Sequence, residues 1–391
     1  MCCNNHNIEK EKNKVLKDVN KKGNEVDWEN KYERKEGMKE VYKELVNDGY
    51  DFMVSKSIRI AECGSYLTFG ILEDNTKKLL EANFCKIRLC PMCSWRRSLK
   101  IFGQVSSIMN YLEENEDYRY LFLTLTCKNV KGSELDETID LLMSAFAKLR
   151  KRKVFERAIK GWFRALEVTH DVNEFITRDM YYGNKNKHMK SKKKYYDDRG
   201  LKVGDKNFNF DLYHPHFHII LAVNKSYFDD NRLYITQEEW TSLWKSCLKV
   251  DYIPIVDIRK LENKRKNDKS LASAIAETAK YTVKDDDYVI KDVDGNIDMD
   301  MSKEAVLTLD IALAHRRLVA FGGVFKEVHD LLKLDDAVDG DLVVTDNDIL
   351  REDIFTAIES YGWNIGVGNY ILKKTQTPED YFYQRNTFKI R

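Results

Sequence analysis

The sequence predicts an α+β fold, in which a largely antiparallel central sheet is flanked by helices and preceded by a small cysteine-rich module. Short segments that alternate apolar and polar residues are interleaved with segments whose apolar residues recur every three to four positions. These two periods are typical of half-buried strands and amphipathic helices. Four cysteines, Cys63, Cys85, Cys90 and Cys93, cluster ahead of the long strands. The pattern determines the class of fold but not the order of its strands.

Each predicted element follows from a local pattern. The apolar stripe Ile139, Leu142, Phe146 and Leu149 predicts a helix, and the pair Gly322-Gly323 is a helix-ending signal. In chain order we expect a hairpin over 58–72 that turns at Cys63-Gly64, a helix over 94–112, a strand over 120–126, a helix over 135–150, strands over 161–169 and 212–223, a helix over 236–248, a strand over 251–259, and helices over 270–283 and 302–321.

Length and composition limit the class of protein. The 391 residues can bury a sizeable core, no run of eighteen apolar residues is present, and the first residues lack the apolar segment of a signal peptide. We therefore expect a cytoplasmic protein without membrane contact. We expect four regions: a charged arm over 1–50 that is mobile or marginally helical, a cysteine-rich module over 51–103, a main domain over 104–330 and an acidic accessory region over 331–391.

The net charge of +1 hides strong segregation of charge along the chain. Residues 148–164 hold eight basic side chains and one acidic, residues 185–206 hold nine basic and three acidic, and residues 285–300 contain seven aspartates. Separate basic blocks can still create a strong local field for a polyanion. The lysine-rich stretch belongs to an insertion over 171–210, which is either a solvated loop or a flap over a DNA backbone.

Alternate histidines on one predicted strand suggest a metal site. In Tyr213-His-Pro-His-Phe-His218 the side chains of His216 and His218 share one strand face and offer neutral imidazoles to one cation. A hard divalent cation needs a carboxylate as well, and Glu167 on the preceding strand is the candidate. The alternatives are a satisfied pair of core histidines and a Glu167 that pairs with Arg or Lys. His214 lies at the strand edge, as a DNA or supporting contact.

A second motif places a tyrosine and a carboxylate on one helical face. Glu277 and Tyr281 lie four residues apart in Glu277-Thr-Ala-Lys-Tyr281, and Lys280 and Lys284 flank the tyrosine with positive charge. Tyr281 is the candidate nucleophile towards a phosphodiester, with the lysines holding phosphate. The alternatives are an ordinary helix aromatic, and a Glu277 that forms a salt bridge with Lys280 or Lys284.

The cysteine spacing predicts a structural zinc site. Cys90-Pro-Met-Cys93 is a Cys-x2-Cys knuckle, and Cys63 and Cys85 would complete four thiolate ligands. Because the spacing is irregular, unmetallated thiols remain the alternative. Arg96 and Arg97 follow Trp95, a combination that suits DNA backbone contact and base stacking, although a helix surface with a core tryptophan also fits.

These motifs together resemble the HUH endonuclease superfamily, and more closely the replication initiator proteins of rolling-circle plasmids. The resemblance rests on His216-Phe-His218, Glu277-x-x-Lys-Tyr281, Phe122-Leu-Thr-Leu-Thr126, Leu166-Glu-Val-Thr169 and the cysteine-rich element, and it runs from about Cys63 to Lys326. It implies an RRM/ferredoxin-like nuclease domain over 104–330 that is dependent on Mn²⁺ or Mg²⁺.

The resemblance also implies an activity and partners. The enzyme would nick a hairpin origin at a single-stranded site, form a 5′-phosphotyrosyl link through Tyr281, and use Glu277 to release the product when replication terminates. Expected partners are plasmid origin DNA, a host helicase, the host polymerase machinery and a second copy of the chain. Two alternatives remain: a transposase of the same superfamily, and a zinc-dependent DNA-binding regulator without catalysis.

Overall fold

The computed structural model describes residues 14–20, 23–183, 189–261, 269–279, 282–345 and 354–389, and it groups them into two compact units. One unit combines residues up to Asn115 with those from Glu327 onward, and the other comprises Glu116–Lys326. Each has its own antiparallel sheet flanked by helices, so the predicted α+β class is confirmed. In the described part of the chain, no helix is both long enough and apolar enough to cross a membrane.

The helices and strands are numbered in chain order. The strands are β1 Tyr66–Ile71, β2 Lys77–Ala82, β3 Tyr118–Thr126, β4 Ile159–His170, β5 Tyr213–Asn224, β6 Val256–Leu261, β7 Val319–Gly323, β8 Ala357–Asn364 and β9 Asn369–Gln376. The α-helices are α1 Trp28–Asn47, α2 Val54–Glu62, α3 Pro91–Asn115, α4 Gly132–Leu149, α5 Lys153–Ala158, α6 Arg178–Tyr182, α7 Met189–Asp197, α8 Gln237–Leu248, α9 Lys269–Thr278, α10 Met299–Leu313, α11 Val324–Leu331 and α12 Pro378–Lys389.

The unit over Glu116–Lys326 is built on a five-stranded sheet in the order β6-β3-β5-β4-β7. The long strands β3, β4 and β5 lie in the middle, because they are apolar on both faces and most of their side chains are buried. Helix α4 packs an apolar stripe against the sheet, and α9 contacts β5. The histidine strand β5 therefore lies between β3 and β4 and pairs with both.

The other unit joins the beginning of the chain to its end. Its sheet has the order β2-β1-β8-β9, so two strands from residues 357–376 complete a sheet begun near residue 66. Helix α1 is part of this core: Trp28 packs edge-on against Phe69, and Tyr32 stacks on Trp363 with ring centroids 4.0 Å apart. The expected domain boundaries divide the chain differently, because they treated 1–50 and 331–391 as separate regions.

Three predicted elements away from the candidate active site are wrong in detail. Residues 58–62 alternate like a strand but belong to helix α2, where Ile58 is 64% exposed and Ile60 is fully buried; β1 pairs with β2 instead. The helix expected over 302–321 ends at Leu313, and β7 follows because Val319 pairs with Ala165 at the edge of the sheet. The strand expected over 251–259 begins only at Val256.

Candidate active site

Two paired strands bring three metal-binding side chains together. In the ladder between β4 and β5, Glu167 lies directly opposite His216, and His218 follows on the same face of β5. The Oε2 atom of Glu167 lies 3.0 Å from Nε2 of His218 and 3.5 Å from Nε2 of His216. All three side chains are buried, and their ligand atoms lie within 4.8 Å of one another. The residues predicted from the sequence therefore form one cluster that can bind a metal ion.

Hydrogen bonds orient both histidines towards this cluster. The Nδ1 atom of His216 lies 3.0 Å from the carbonyl oxygen of His214, and Nδ1 of His218 lies 3.1 Å from the Thr124 hydroxyl. A carbonyl oxygen only accepts, so His216 donates from Nδ1 and keeps a lone pair on Nε2 for a cation. Burial acts to raise the pKa of Glu167, but the interactions of its carboxylate with the two histidines outweigh burial and hold that pKa well below its usual range. The donor set of two nitrogens and one carboxylate oxygen thus fits a divalent cation and leaves positions for phosphate oxygens.

The opposite face of β5 anchors the histidines in the core. Phe217 points away from the cluster and packs against Phe146 of α4, with ring centroids 5.8 Å apart. The guanidinium group of Arg164 lies 4.6 Å from the Phe217 ring centroid and adds a cation–π contact. Because strand side chains alternate, a firmly packed Phe217 fixes the direction of both neighbouring histidines.

Helix α9 brings the predicted carboxylate to the edge of the cluster. The Oε1 atom of Glu277 lies 3.9 Å from Nε2 of His218, and the Glu277 side chain is 38% exposed. The helix was expected to continue to 283 but ends at Thr278, and the chain bends after Thr282. Lys280 and Tyr281 lie outside the described residues. However, the backbone N–H of Val168, next to Glu167, donates a 2.7 Å hydrogen bond to the carbonyl of Thr282, next to Tyr281.

The four predicted cysteines form a second, separate cluster in the other unit. Their sulfur atoms are buried; Cys63 and Cys93 lie 3.5 Å apart, and Cys85–Cys93 and Cys63–Cys90 are each 3.6 Å. With Zn–S bonds of about 2.3 Å, the edge of a tetrahedral site is about 3.8 Å, so the spacing fits four-coordinate zinc. Hydrogen bonds from Cys63 and Cys90 strongly lower the pKa of Cys85, whereas burial raises that of Cys90. Four buried thiols therefore cannot all ionise unless a cation compensates their charge.

Arg96 and Arg97 do not form the exposed pair that DNA contact requires. Each residue is 6% exposed. Arg96 donates to the carbonyls of Leu342 and Val343 at 2.9 and 2.6 Å, and Arg97 donates to the carbonyl of Val338 at 2.7 Å. Buried guanidinium groups with these partners tie the protein's own loops together. The structure thus gives both residues a packing role instead of the expected DNA contact.

Two further predicted DNA-binding residues, His214 and Lys284, line a cavity beside the Glu167–His216–His218 cluster. His214 and His216 have ring centroids 5.0 Å apart, and burial followed by the charge on His216 lowers the pKa of His214 to about 4. Lys284 is exposed. Both line a cavity of about 700 Å³ beside the cluster.

Sequence reasoning missed a second histidine network beside this cavity. One ring nitrogen of His170 lies 2.9 Å from the backbone carbonyl of Asp287, and the other lies 2.9 Å from the Asp211 carboxylate. The His170 ring also stacks on Tyr213 with centroids 4.1 Å apart. The network holds the turn after Tyr281 against strand β4. In the sequence this network was indicated only by His170 itself, three residues beyond Glu167. His170 belongs to no recognisable motif.

The insertion over 171–210 is folded in its described parts. Ile176, Tyr181 and Tyr196 form a small core of their own, against which Met180 and Leu201 pack. At its base, the backbone N–H of Asp211 donates to the carbonyl of Asp171, and the N–H of Asp171 donates to the carbonyl of Leu212. In its described parts the insertion is therefore a compact subdomain and not the simple solvated loop that was one of the two expectations.

Comparison with known proteins identifies relatives of the whole chain. A family model described as replication protein matches residues 76–371. A protein named protein rep from Bacillus amyloliquefaciens is 37% identical over 374 residues, covering 92% of this chain and 97% of its own length. Protein rep from Streptococcus pneumoniae is 35% identical over 92% of this chain and 96% of its own length, and the one from Lactiplantibacillus plantarum is 35% identical over 79% and 86%. No solved structure matches the chain.

Proposed function

The chain belongs to the replication protein family, as its resemblance to plasmid replication initiators predicted, and from this premise we propose that it nicks one strand of a plasmid origin by tyrosine transesterification. Tyr281 is the nucleophile, and Glu167, His216 and His218 hold Mn²⁺ or Mg²⁺. The nick initiates rolling-circle replication, and a second reaction at the same site terminates it.

One observation carries the proposal: the cluster of Glu167, His216 and His218 is tied by the backbone to the residue beside Tyr281. The hydrogen bond from Val168 to Thr282 is 2.7 Å long and connects the residues that directly follow Glu167 and Tyr281. A phosphate bound at the cluster would therefore lie within reach of a side chain from this segment. A regulator that only binds DNA has no need for a metal-binding cluster tied to the segment that follows the Glu-x-x-Lys-Tyr motif.

The reaction exchanges one phosphodiester for another. The Tyr281 oxygen forms a bond to phosphorus, the bond from phosphorus to the 3′ oxygen breaks, and the proton lost by the tyrosine balances the proton gained by the leaving 3′-hydroxyl. A tyrosine hydroxyl has an ordinary pKa of about 10, so it needs assistance at neutral pH. A divalent ion held by Glu167, His216 and His218 would supply this assistance by offsetting negative charge on the phosphate. Lys284 is exposed in the wall of the cavity beside the cluster and contributes a positive charge towards the DNA backbone.

Glu277 serves the terminating reaction. Its carboxylate lies 3.9 Å from His218 and is partly exposed, so a water molecule can reach it. As a general base it would activate that water against a phosphodiester and release the product without a second covalent link. Host helicase, polymerase and a second copy of the chain complete the proposed set of partners, and zinc in the cysteine cluster stabilises the other unit.

The structure offers little support for a two-tyrosine transposase. The second tyrosine would be Tyr288, but its side chain is 1% exposed, and a 3₁₀ turn over Asp285–Asp287 separates it from helix α9. A buried tyrosine off the helix cannot attack DNA without unfolding its surroundings. A single tyrosine with a carboxylate therefore describes this site better.

The test is a nicking assay on supercoiled origin plasmid with Mn²⁺, followed by mass analysis of the peptide–DNA adduct. We expect the adduct on Tyr281, its loss in Tyr281→Phe, and its retention in the matched control Tyr288→Phe. A covalent adduct formed by folded Tyr281→Phe protein would refute the proposed nucleophile. Strand-specific DNA binding without any nicking by the wild-type protein would favour the regulator.

A further inference from the structure

The proposed nicking reaction gives a role to Lys284 in the wall of the cavity beside the Glu167–His216–His218 cluster but none to the interior of that cavity. Its volume of about 700 Å³ lies within the usual range for small-molecule sites and exceeds what one nucleotide needs. All of its lining residues belong to one unit. Strands β4 and β5 contribute His170 and His214 to its wall. The segment after Tyr281 contributes Lys284 and Asp287, and the insertion contributes Tyr195 and Tyr196.

Two polar atoms in this wall are buried without a partner. The Nε2 atom of His214 and the Oδ2 atom of Asp287 have no hydrogen-bond partner among the residues that the structure describes. Leaving a buried donor or acceptor unsatisfied costs about 1–3 kcal/mol, so such atoms usually mark a ligand or water site. The two residues come from different elements, strand β5 and the turn over Asp285–Asp287, yet both residues line the same cavity.

The turn that carries Asp287 is held in place before any ligand arrives. His170 contacts the backbone carbonyl of Asp287 at 2.9 Å, and the Asp211 carboxylate fixes the other side of the imidazole. A positioned carboxylate gives up less conformational entropy on binding than a mobile one. The network thus preorganises the wall for recognition.

The insertion supplies a surface suited to a nucleic-acid base. Tyr195 is 37% exposed, and the guanidinium group of Arg199 lies 3.9 Å from its ring centroid. Aromatic rings combined with cations bind unpaired bases by stacking, and each stacked base contributes about 1–3 kcal/mol. Exposed Lys284 adds a charge for a phosphate. An aromatic ring, cations and unsatisfied polar atoms together favour a nucleotide over a purely apolar ligand.

We propose that this cavity binds an unpaired base next to the cleaved phosphate and that Asp287 selects a base with an amino group, guanine matching best. Guanine presents a ring N–H and an amino group side by side, which a carboxylate can accept together. Thymine presents one ring N–H between two carbonyl oxygens, which a carboxylate repels. The location beside the phosphate rests on the proposed nicking function, whereas the base preference is measurable without it.

The experiment compares base preferences in a background that cannot cleave. Full-length Tyr281→Phe protein, without added Mn²⁺ and at pH 8, is incubated with a random single-stranded 12-nucleotide library, and the bound pool is sequenced. We expect guanine enrichment of about ten-fold at one position, the usual size of a single base discrimination. Adding Asp287→Asn should abolish or redirect this preference, while Asp286→Asn, the same change on the neighbouring exposed residue, should preserve it.

A second variant tests the stacking wall independently. Tyr195→Leu should lower affinity for the whole library about ten-fold and leave the guanine preference intact. Equal guanine preference with and without the Asp287 carboxylate, or no preference at any position in the parent protein, would overturn the proposal. Because the binding experiment involves no cleavage, its base preference can be interpreted even if the wild-type protein does not nick DNA. Conversely, the absence of a base preference would not change the outcome of the nicking assay.

Discussion

Arg97→Ala should unfold a loop and leave DNA contact unchanged. The Arg97 side chain donates to the carbonyls of Val338 and Lys86 at 2.7 and 2.6 Å and more weakly to that of Ile87 at 3.4 Å. These bonds connect the loop between Cys85 and Cys90 to the acidic segment near 338. Removal of the guanidinium group leaves buried carbonyls without a donor.

The expected magnitude follows from the two short bonds. Hydrogen bonds to a charged group contribute about 1.5–3 kcal/mol each, so their joint loss should cost about 3 kcal/mol after partial rehydration of the carbonyls. That is about a hundred-fold change in the local opening equilibrium. Hydrogen exchange followed by mass spectrometry should show amides near 86–87 and 334–343 exchanging about a hundred-fold faster. Arg97→Lys should behave similarly, because an ammonium group cannot reproduce the planar fork.

The alternative, a phosphate contact, predicts a different result. A lost phosphate contact lowers the slope of log affinity against log salt by about 0.7–0.9. We expect this reduction for Lys284→Ala, the matched exposed cation, and not for Arg97→Ala, in fluorescence titrations with a labelled hairpin oligonucleotide. Unchanged hydrogen exchange in Arg97→Ala together with a reduced salt slope would refute the packing role.

Three further predictions concern Glu277 and the two candidate metal sites, Glu167–His216–His218 and the four-cysteine cluster. Glu277→Gln should keep the first nick and the covalent adduct but slow hydrolysis at termination by about a hundred- to ten-thousand-fold, so over-run products accumulate; equal loss of both reactions on gels would contradict this. His216→Ala/His218→Ala should abolish Mn²⁺ binding in calorimetry without changing zinc content, and unaltered Mn²⁺ binding would exclude the cluster as the catalytic site. Cys90→Ser should lower the zinc found by elemental analysis and destabilise its unit, because metal binding and folding are coupled; wild-type protein purified without chelator but lacking zinc would disprove that assignment.

The sequence was most informative where a motif and a strand period coincide. His216, Phe217 and His218 alternate, and strand geometry alone sends the two histidines to one face and the phenylalanine to the other. The register that sets Glu167 opposite His216 was not derivable from the period, because the insertion between their strands hides it. Glu167 was selected as a candidate from its apolar neighbours together with the resemblance to the superfamily, and the structure places it opposite His216.

The sequence was least informative where distant segments complete one core. Helix α1 buries Met38, Val41, Tyr42 and Leu45, but charged residues between them make the segment read as a solvated arm. Two of its aromatic contacts, from Tyr32 to Trp363 and to Tyr370, reach strands beyond residue 356, and no local sequence signal indicates that pairing. The DNA-contact prediction for Arg96 and Arg97 failed for the same reason, because their acceptors Leu342 and Val338 lie more than 240 residues away. Tertiary contacts therefore decided these regions, against their local composition.

The same contacts explain how a chain with a net charge of +1 can serve a polyanion. Lys100 is 3% exposed and pairs with Asp335 at 2.5 Å, and Arg97 is held by the neighbouring acidic segment. Part of the acidic segment after residue 334 thus pairs with, or supplies backbone acceptors to, buried cations of its own unit. The lysine-rich insertion has no comparable acidic block in its own sequence, since residues 185–206 carry nine basic and three acidic side chains. Local imbalance, rather than net charge, sets the field that a DNA strand meets. The salt dependence of DNA binding should accordingly follow substitutions in the insertion and at Lys284 rather than those of the buried arginines.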